Sequence, residues 1–195
     1  VKFKSLHKRA KLLDEIIDSY LKSKTRAAFV PLNDLKTVVP LVFPRVSMVS
    51  FGMHKLVFRV GHKSHELALK IGKEDAIEYD HKVYKQLPSQ YRHVYFARVF
   101  WHTKYCLLQE FGEEVEVTPQ ELSQIRSIAN RFGLLDISCE NIRNIDGYLK
   151  IIDAAIAPTG FFNIYKAADF ITLRLPPPVR RMVKKSRMLK TITGK

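Results

Sequence analysis

Apolar residues recur at Leu12, Leu13, Ile16, Ile17, Tyr20 and Leu21, spacing that predicts an amphipathic helix with a wide apolar stripe. Pro31, Pro40 and Pro44 punctuate the next segment, which reads as loop with short turns. From Ser47 the period shortens. MVSF, KLVFRV and ELALKI are short β-rich runs marked off by Gly52, Gly61 and Gly72, and GHKSH reads as the hairpin turn between the last two. Glu74 to Leu87 returns to helical spacing and stops at Pro88. HVYFARVFW and KYCLLQEF read as two further strands. Thr118-Pro119 opens another helix, with Thr118 as N-cap, Pro119 at the first helical position and Glu121 completing a capping box. It runs to about Phe132 and ends at Gly133. Beyond Asp153 the pattern predicts a helical stretch over 165–173, a Pro176-Pro177-Pro178 break and a basic tail.

This order predicts an α+β fold: a β-rich part with one inserted helix, then a mostly helical part, divided near Phe111-Gly112. The expected organisation is an N-terminal helical extension over 1–46, a first lobe over 47–112 and a second over 113–195 with its tail. At 195 residues the chain is long enough for a real core. No apolar run approaches the ~20 residues of a membrane span, and no apolar signal core follows the basic start, so a soluble, cytoplasmic protein is expected. Cys106 and Cys139 form neither a metal-ligand spacing nor a disulfide framework. The net charge of +14 is concentrated at the two ends. Past Asp169 no acidic residue occurs, while Arg174, Arg180, Arg181, Lys184, Lys185, Arg187, Lys190 and Lys195 follow. Such a tail suits an acidic protein or nucleic-acid partner, or simply a solvated terminus.

The candidate chemistry lies in GLLDISCENIRNIDGYLKIID, residues 133–153. It sets Asp136, Asn141 and Asp153 in a loop, an apolar strand, a turn and a second apolar strand. Two carboxylates and an amide supply the hard oxygen ligands a divalent cation on phosphates requires, with a carboxylate to spare for an attacking hydroxyl. Upstream, Lys70 interrupts the apolar run Leu67-Ala68-Leu69-Lys70-Ile71. Burying an ammonium unpaired is costly, so Lys70 either faces a phosphate or carboxylate or carries its head to water. The following helix offers Glu78 and Asp80 as partners.

Together these elements resemble the eukaryotic-type protein kinase fold, and especially its compact atypical relatives, over roughly Ser47 to Asp153. Ala68-Leu69-Lys70 is similar to the family's Ala-x-Lys strand, which implies that Lys70 contacts the α/β-phosphates of ATP. Gly52 and Val57 resemble the end of the glycine-rich loop, with Ser50 and Lys55 where the family often has glycine. The helix-C carboxylate that holds the lysine corresponds to Asp80 by register and Glu78 by side-chain type. The segment 105–112 resembles the strand entering the hinge. Gln109 would be the gatekeeper, the backbone of Glu110 and Gly112 would hold adenine, and Val57, Ala68 and Ile152 would sandwich the base.

Asp136-Ile137-Ser138-Cys139-Glu140-Asn141 resembles the catalytic loop. Asp136 would orient the attacking hydroxyl, and Asn141 and Asp153 would bind Mg²⁺ or Mn²⁺. The resemblance therefore implies a two-lobed, kinase-like, ATP- and metal-dependent phosphotransferase with a minimal C-lobe. Its acceptor would be a protein serine or threonine, or a small molecule. Departures define the alternative, a pseudokinase: a nucleotide-binding or scaffold protein with a basic partner-binding tail. Leu134-Leu135 stand where His-Arg is usual, Ser138 where lysine is frequent, and Ala154-Ala155 where Phe-Gly follows the metal aspartate.

Overall fold

The structure, a computed structural model, describes residues 2–23, 30–51, 55–62 and 65–156. It is α+β, and the chain divides into two compact units: 1–82 with 98–111, and 83–97 with 112–195.

The first unit is a five-stranded antiparallel sheet with helices. Its elements are α1 (Lys4–Ser23), α2 (Leu32–Val42), β1 (Val46–Phe51), β2 (Lys55–His62), β3 (His65–Gly72), most of α3 (Glu74–Gln86), β4 (Val99–His102) and β5 (Cys106–Glu110). The strands lie in the order β1-β2-β3-β5-β4. Register opposes Leu56 to Ile71, Phe58 to Leu69 and Val60 to Leu67. The two-residue period of a strand sends all six to one face. They join Cys106, Leu108 and Trp101 in a core closed by Leu6, Ala10, Leu13 and Ile17 of α1 and Leu35, Val39 and Val42 of α2. Both N-terminal helices thus belong to the core of the sheet.

Two carboxylates of α1 also hold the β4–β5 connection. Asp14 accepts from Thr103 Oγ1 and the Tyr105 amide, each at 3.1 Å. Asp18 accepts from Lys104 Nζ and the Tyr105 hydroxyl, each at 2.7 Å.

Two elements differ from the sequence pattern. The segment with three prolines forms helix α2 instead of loop. Pro31 occupies the N-cap, where a missing amide is no loss. Pro40 falls in the last turn and forfeits only the bond to the Lys36 carbonyl. Burial of Leu35, Val39, Val42 and Phe43 outweighs that loss. HVYFARVFW is not one strand: its first part completes α4 (Ser89–Tyr95), Phe96 is extended and forms an isolated bridge to Ile151, and β4 begins only at Val99. Pro88 caps α4, and Arg92 Nη2 folds back to donate to the Leu87 carbonyl at 2.8 Å. The aromatic run therefore follows its packing before its β propensity. Gly61 lies inside β2 and is not a break, whereas Gly72 closes β3.

The second unit holds the end of α3, α4, α5 (Pro119–Arg131), β6 (Leu134–Leu135), a 3₁₀ turn (Cys139–Asn141), β7 (Ile142–Ile145), β8 (Tyr148–Ile151) and β9 (Ala155–Ile156). The capping box forms as the spacing predicts. Thr118 Oγ1 accepts from the Glu121 amide at 3.3 Å, and Glu121 Oε2 accepts from the Thr118 amide at 2.9 Å. Gly133, at φ 69°, closes the helix in the left-handed conformation that glycine adopts without strain. Asp146 and Gly147 (φ 53° and 82°) join β7 to β8 in a two-residue connection, with Ile145 opposite Tyr148. Positive φ at both positions is the requirement of a type I′ hairpin, met by Asp-Gly. The helical stretch over 165–173, the proline triplet and the basic tail lie outside the described residues.

Candidate functional site

In the first unit the sheet face opposite the α1–α2 core carries the residues read as nucleotide-binding. Register sets Val57 against Lys70, and Ala68 against both Arg59 and Gln109. Val57, Ala68, Lys70 and Gln109 therefore share one face. Lys70 and Asp80 are buried, and Lys70 Nζ donates to Asp80 Oδ2 at 3.1 Å. The open choice between two helix carboxylates is thereby decided in the structure. Asp80 shares a helix face with buried Ile77, three residues earlier, whereas Glu78 pairs with Lys82 at 3.0 Å on the exposed side of α3. Asp80 has a second partner that the sequence pattern had not suggested: Lys55 Nζ donates to Oδ1 at 2.6 Å. The available signal was spacing, because Lys55 stands two residues before Val57 and so on the same face.

The hinge-like residues have structural roles of their own. The Glu110 amide donates to the Arg98 carbonyl at 2.9 Å, and its carboxylate accepts the Arg98 amide at 2.9 Å. In the second unit Gly112 packs against β7. A Cβ there would meet Arg143 Cβ at 2.5 Å and Ile145 Cγ1 at 2.7 Å, so only glycine fits. Gly52 lies outside the described residues.

The Asp136 block belongs to the second unit, where two short ladders position it. β6 pairs with β9, with Leu135 opposite Ala155. Asp136 thus leaves the ladder at the end where Asp153 enters it. β7 pairs with β8, and the Ile152 amide extends that ladder by donating to the Asn141 carbonyl at 2.8 Å. Asn141 Nδ2 donates to the Asp136 carbonyl at 3.0 Å. A carbonyl only accepts, so the nitrogen of the amide must be the atom facing it, and Asn141 turns its oxygen away. Asp153 Oδ1 accepts from the Ala154 amide at 3.1 Å. Arg126 Nε of α5 donates to the Ile137 carbonyl at 2.6 Å and braces the loop from the helix side.

Asp136 has φ 60°, the left-handed region. Aspartate visits it more readily than most residues, and a non-glycine residue held there reports a conformation imposed by its surroundings. Hydrophobic periodicity carries no signal for such a backbone. Leu134, Ile137, Ile142, Leu149, Ile151 and Ala154 are buried around the block. The apolar residues thus set the two ladders, and the polar ones emerge at their ends.

The Asp153 carboxylate and the Asn141 amide oxygen are hard donors of the type a divalent cation takes. Among the described residues no group of three or more His, Cys, Asp or Glu side chains is placed to hold a metal ion. No helix among them is long and apolar enough to cross a membrane. No protein-family model matches the chain, and no curated protein does either.

Proposed function

We propose that the chain is an ATP- and divalent-metal-dependent phosphotransferase with a two-lobed, protein-kinase-like architecture, acting on a hydroxyl of a protein serine or threonine or of a small molecule. The observation that carries the reading is the joining of Asp136, Asn141 and Asp153 by the β6–β9 and β7–β8 ladders and the Asn141–Asp136 hydrogen bond. The Lys70–Asp80 pair beside Val57, Ala68 and Gln109 supports it independently from the first unit.

In this reading Lys70, oriented by Asp80, holds the phosphates of ATP, and the face of Val57 and Ala68 takes the base. Asn141 and Asp153 hold Mg²⁺ or Mn²⁺, which would neutralise charge on the phosphates. Asp136 receives and orients the acceptor hydroxyl, accepting its proton as the hydroxyl oxygen bonds to the γ-phosphorus and the bond from that phosphorus to the bridging oxygen breaks, releasing ADP. The basic tail would recruit an acidic partner.

Sharing of Asp80 between two lysines, with Ala154-Ala155 after Asp153, favours the pseudokinase as a second reading. The deciding experiment measures thermal stabilisation by ATP with Mg²⁺ or Mn²⁺, and γ-phosphate release or transfer. The enzyme reading expects stabilisation of about 2.7 kcal/mol at 100 times the dissociation constant. It also expects turnover abolished in Asp136→Asn and Asp153→Asn. Asparagine is the right replacement at 136 because it tolerates the left-handed backbone that alanine resists. Nucleotide binding with no turnover assigns the pseudokinase. No stabilisation at millimolar ATP overturns the enzyme reading and leaves, of the second, only a scaffold that binds no nucleotide.

A further inference from the structure

Asp136 leaves β6 in the left-handed conformation, at φ 60°. The backbone is held on both sides of it. The β6–β9 ladder fixes the chain before it, with Leu135 opposite Ala155. Asn141 Nδ2 donates to the Asp136 carbonyl at 3.0 Å and fixes the peptide after it. Arg126 Nε donates to the next carbonyl, that of Ile137, at 2.6 Å. Ile137 itself is buried, so one apolar side chain and two polar bonds anchor the loop. Leu134 and Leu135 precede Asp136 and carry no side-chain donor for it. The second donor comes instead from the preceding helix: Arg126 is an exposed residue of α5, next to buried Ile125. A guanidinium keeps its charge at every working pH, so its bond to a carbonyl is charge-assisted. Released from these bonds, an L-residue prefers negative φ, and a change of φ re-aims its Cβ and the carboxylate beyond it.

We propose that Arg126 is a positioning residue of this site, holding the Asp136 carboxylate where the attacking hydroxyl must meet it. The inference rests on the phosphotransferase reading above and adds a residue to it. Arg126 acts through the loop backbone and touches no reactant. The bond it makes uses Nε, and a glutamine side chain places its amide nitrogen after the same number of bonds. Methionine matches that stem length and carries no donor. Both rank close to arginine as helix formers, so neither exchange disturbs α5.

The test is γ-phosphate release from ATP with Mg²⁺, resolved into kcat and KM, by the full chain and by Arg126→Met and Arg126→Gln. Thermal melts check that each variant is folded. A thiol reagent reads the loop without reference to catalysis, because Cys139 is exposed beside it and Cys106 is buried. Arg126→Met is expected to lower kcat by roughly tenfold to a hundredfold, the cost of misplacing a catalytic group by about 1 Å. It should leave KM for ATP unchanged and speed the labelling of Cys139. Arg126→Gln restores the donor without the charge and is expected to recover most of kcat and the native labelling rate. An unchanged kcat in Arg126→Met overturns this inference and leaves the enzyme reading standing. A loss in Arg126→Gln as large as in Arg126→Met assigns the effect to the guanidinium charge and also overturns it. No release by the unaltered chain overturns the enzyme reading and this inference with it.

Discussion

Leu12 and Leu13 are adjacent residues of one apolar stripe, yet the fold treats them oppositely: Leu13 is 0% exposed and Leu12 is 50% exposed. Truncating Leu13 to alanine removes buried methyl groups from a core that also contains Ile17, Val39, Phe58 and Leu69. Close-packed surroundings relax only in part, so the loss combines a transfer and a cavity contribution, together about 3–5 kcal/mol. The same truncation at Leu12 forfeits only partial burial, regains a little helix propensity and is expected to cost about 1 kcal/mol or less. Urea denaturation followed by tryptophan fluorescence reads this difference directly. Trp101 is the only tryptophan and lies in the same core as Leu13, so its signal reports on this unit. With a slope of about 1–3 kcal/mol/M, Leu13→Ala should lower the midpoint by roughly 1 M or more, with the slope unchanged. Leu12→Ala should move it only slightly. Equal losses in the two variants would falsify the placement of α1 on the sheet.

Thr118→Ala should destabilise the second unit by about 0.5–2 kcal/mol through loss of the capping box, with Thr118→Ser recovering most of it in thermal melts. Thiol titration of the native protein should count one fast-reacting cysteine. Cys139 is exposed, while Cys106 is buried and its thiol is pushed well up by desolvation; denaturant should reveal the second. Burial raises the Asp14 carboxyl despite its donors from Thr103, Lys104 and Tyr105, whereas hydrogen bonds from Lys104 and Tyr105 lower that of Asp18. The raised group contributes stability that is full below its unfolded pKa and lost as pH rises through its folded pKa. The lowered group contributes stability that is full above its unfolded pKa and lost as pH falls through its folded pKa. The advantage of the native chain over Asp14→Asn should therefore shrink with rising pH, while its advantage over Asp18→Asn grows; parallel pH profiles would refute these assignments.

Much of the local structure was legible in the chain. The Thr118–Glu121 box, the Gly133 stop and the Asp146-Gly147 turn depend on groups within a few residues of one another, and all three form. The alternation in KLVFRV and ELALKI sorts their residues onto two sheet faces without reference to anything distant. Helix α2 was illegible because local proline chemistry argues against it, and what overrides that chemistry is burial against α1 and the sheet. Likewise an aromatic run that suits one strand is split: its first residues complete α4, while Phe96 and Ala97 pair with Ile151, more than fifty residues away.

The candidate site divides along the same line. The residue types came from the sequence, since an isolated lysine in an apolar strand and an Asp–Asn–Asp block between apolar runs are visible without coordinates. Which helix carboxylate meets Lys70, that Lys55 joins it, and that Asp136 adopts φ 60° were decided by tertiary structure alone. Sequence periodicity states which side of an element a residue occupies, through bonds and dihedrals that are local. The partner on that side, and the backbone strain the partner enforces, are properties of packing between segments far apart in the chain.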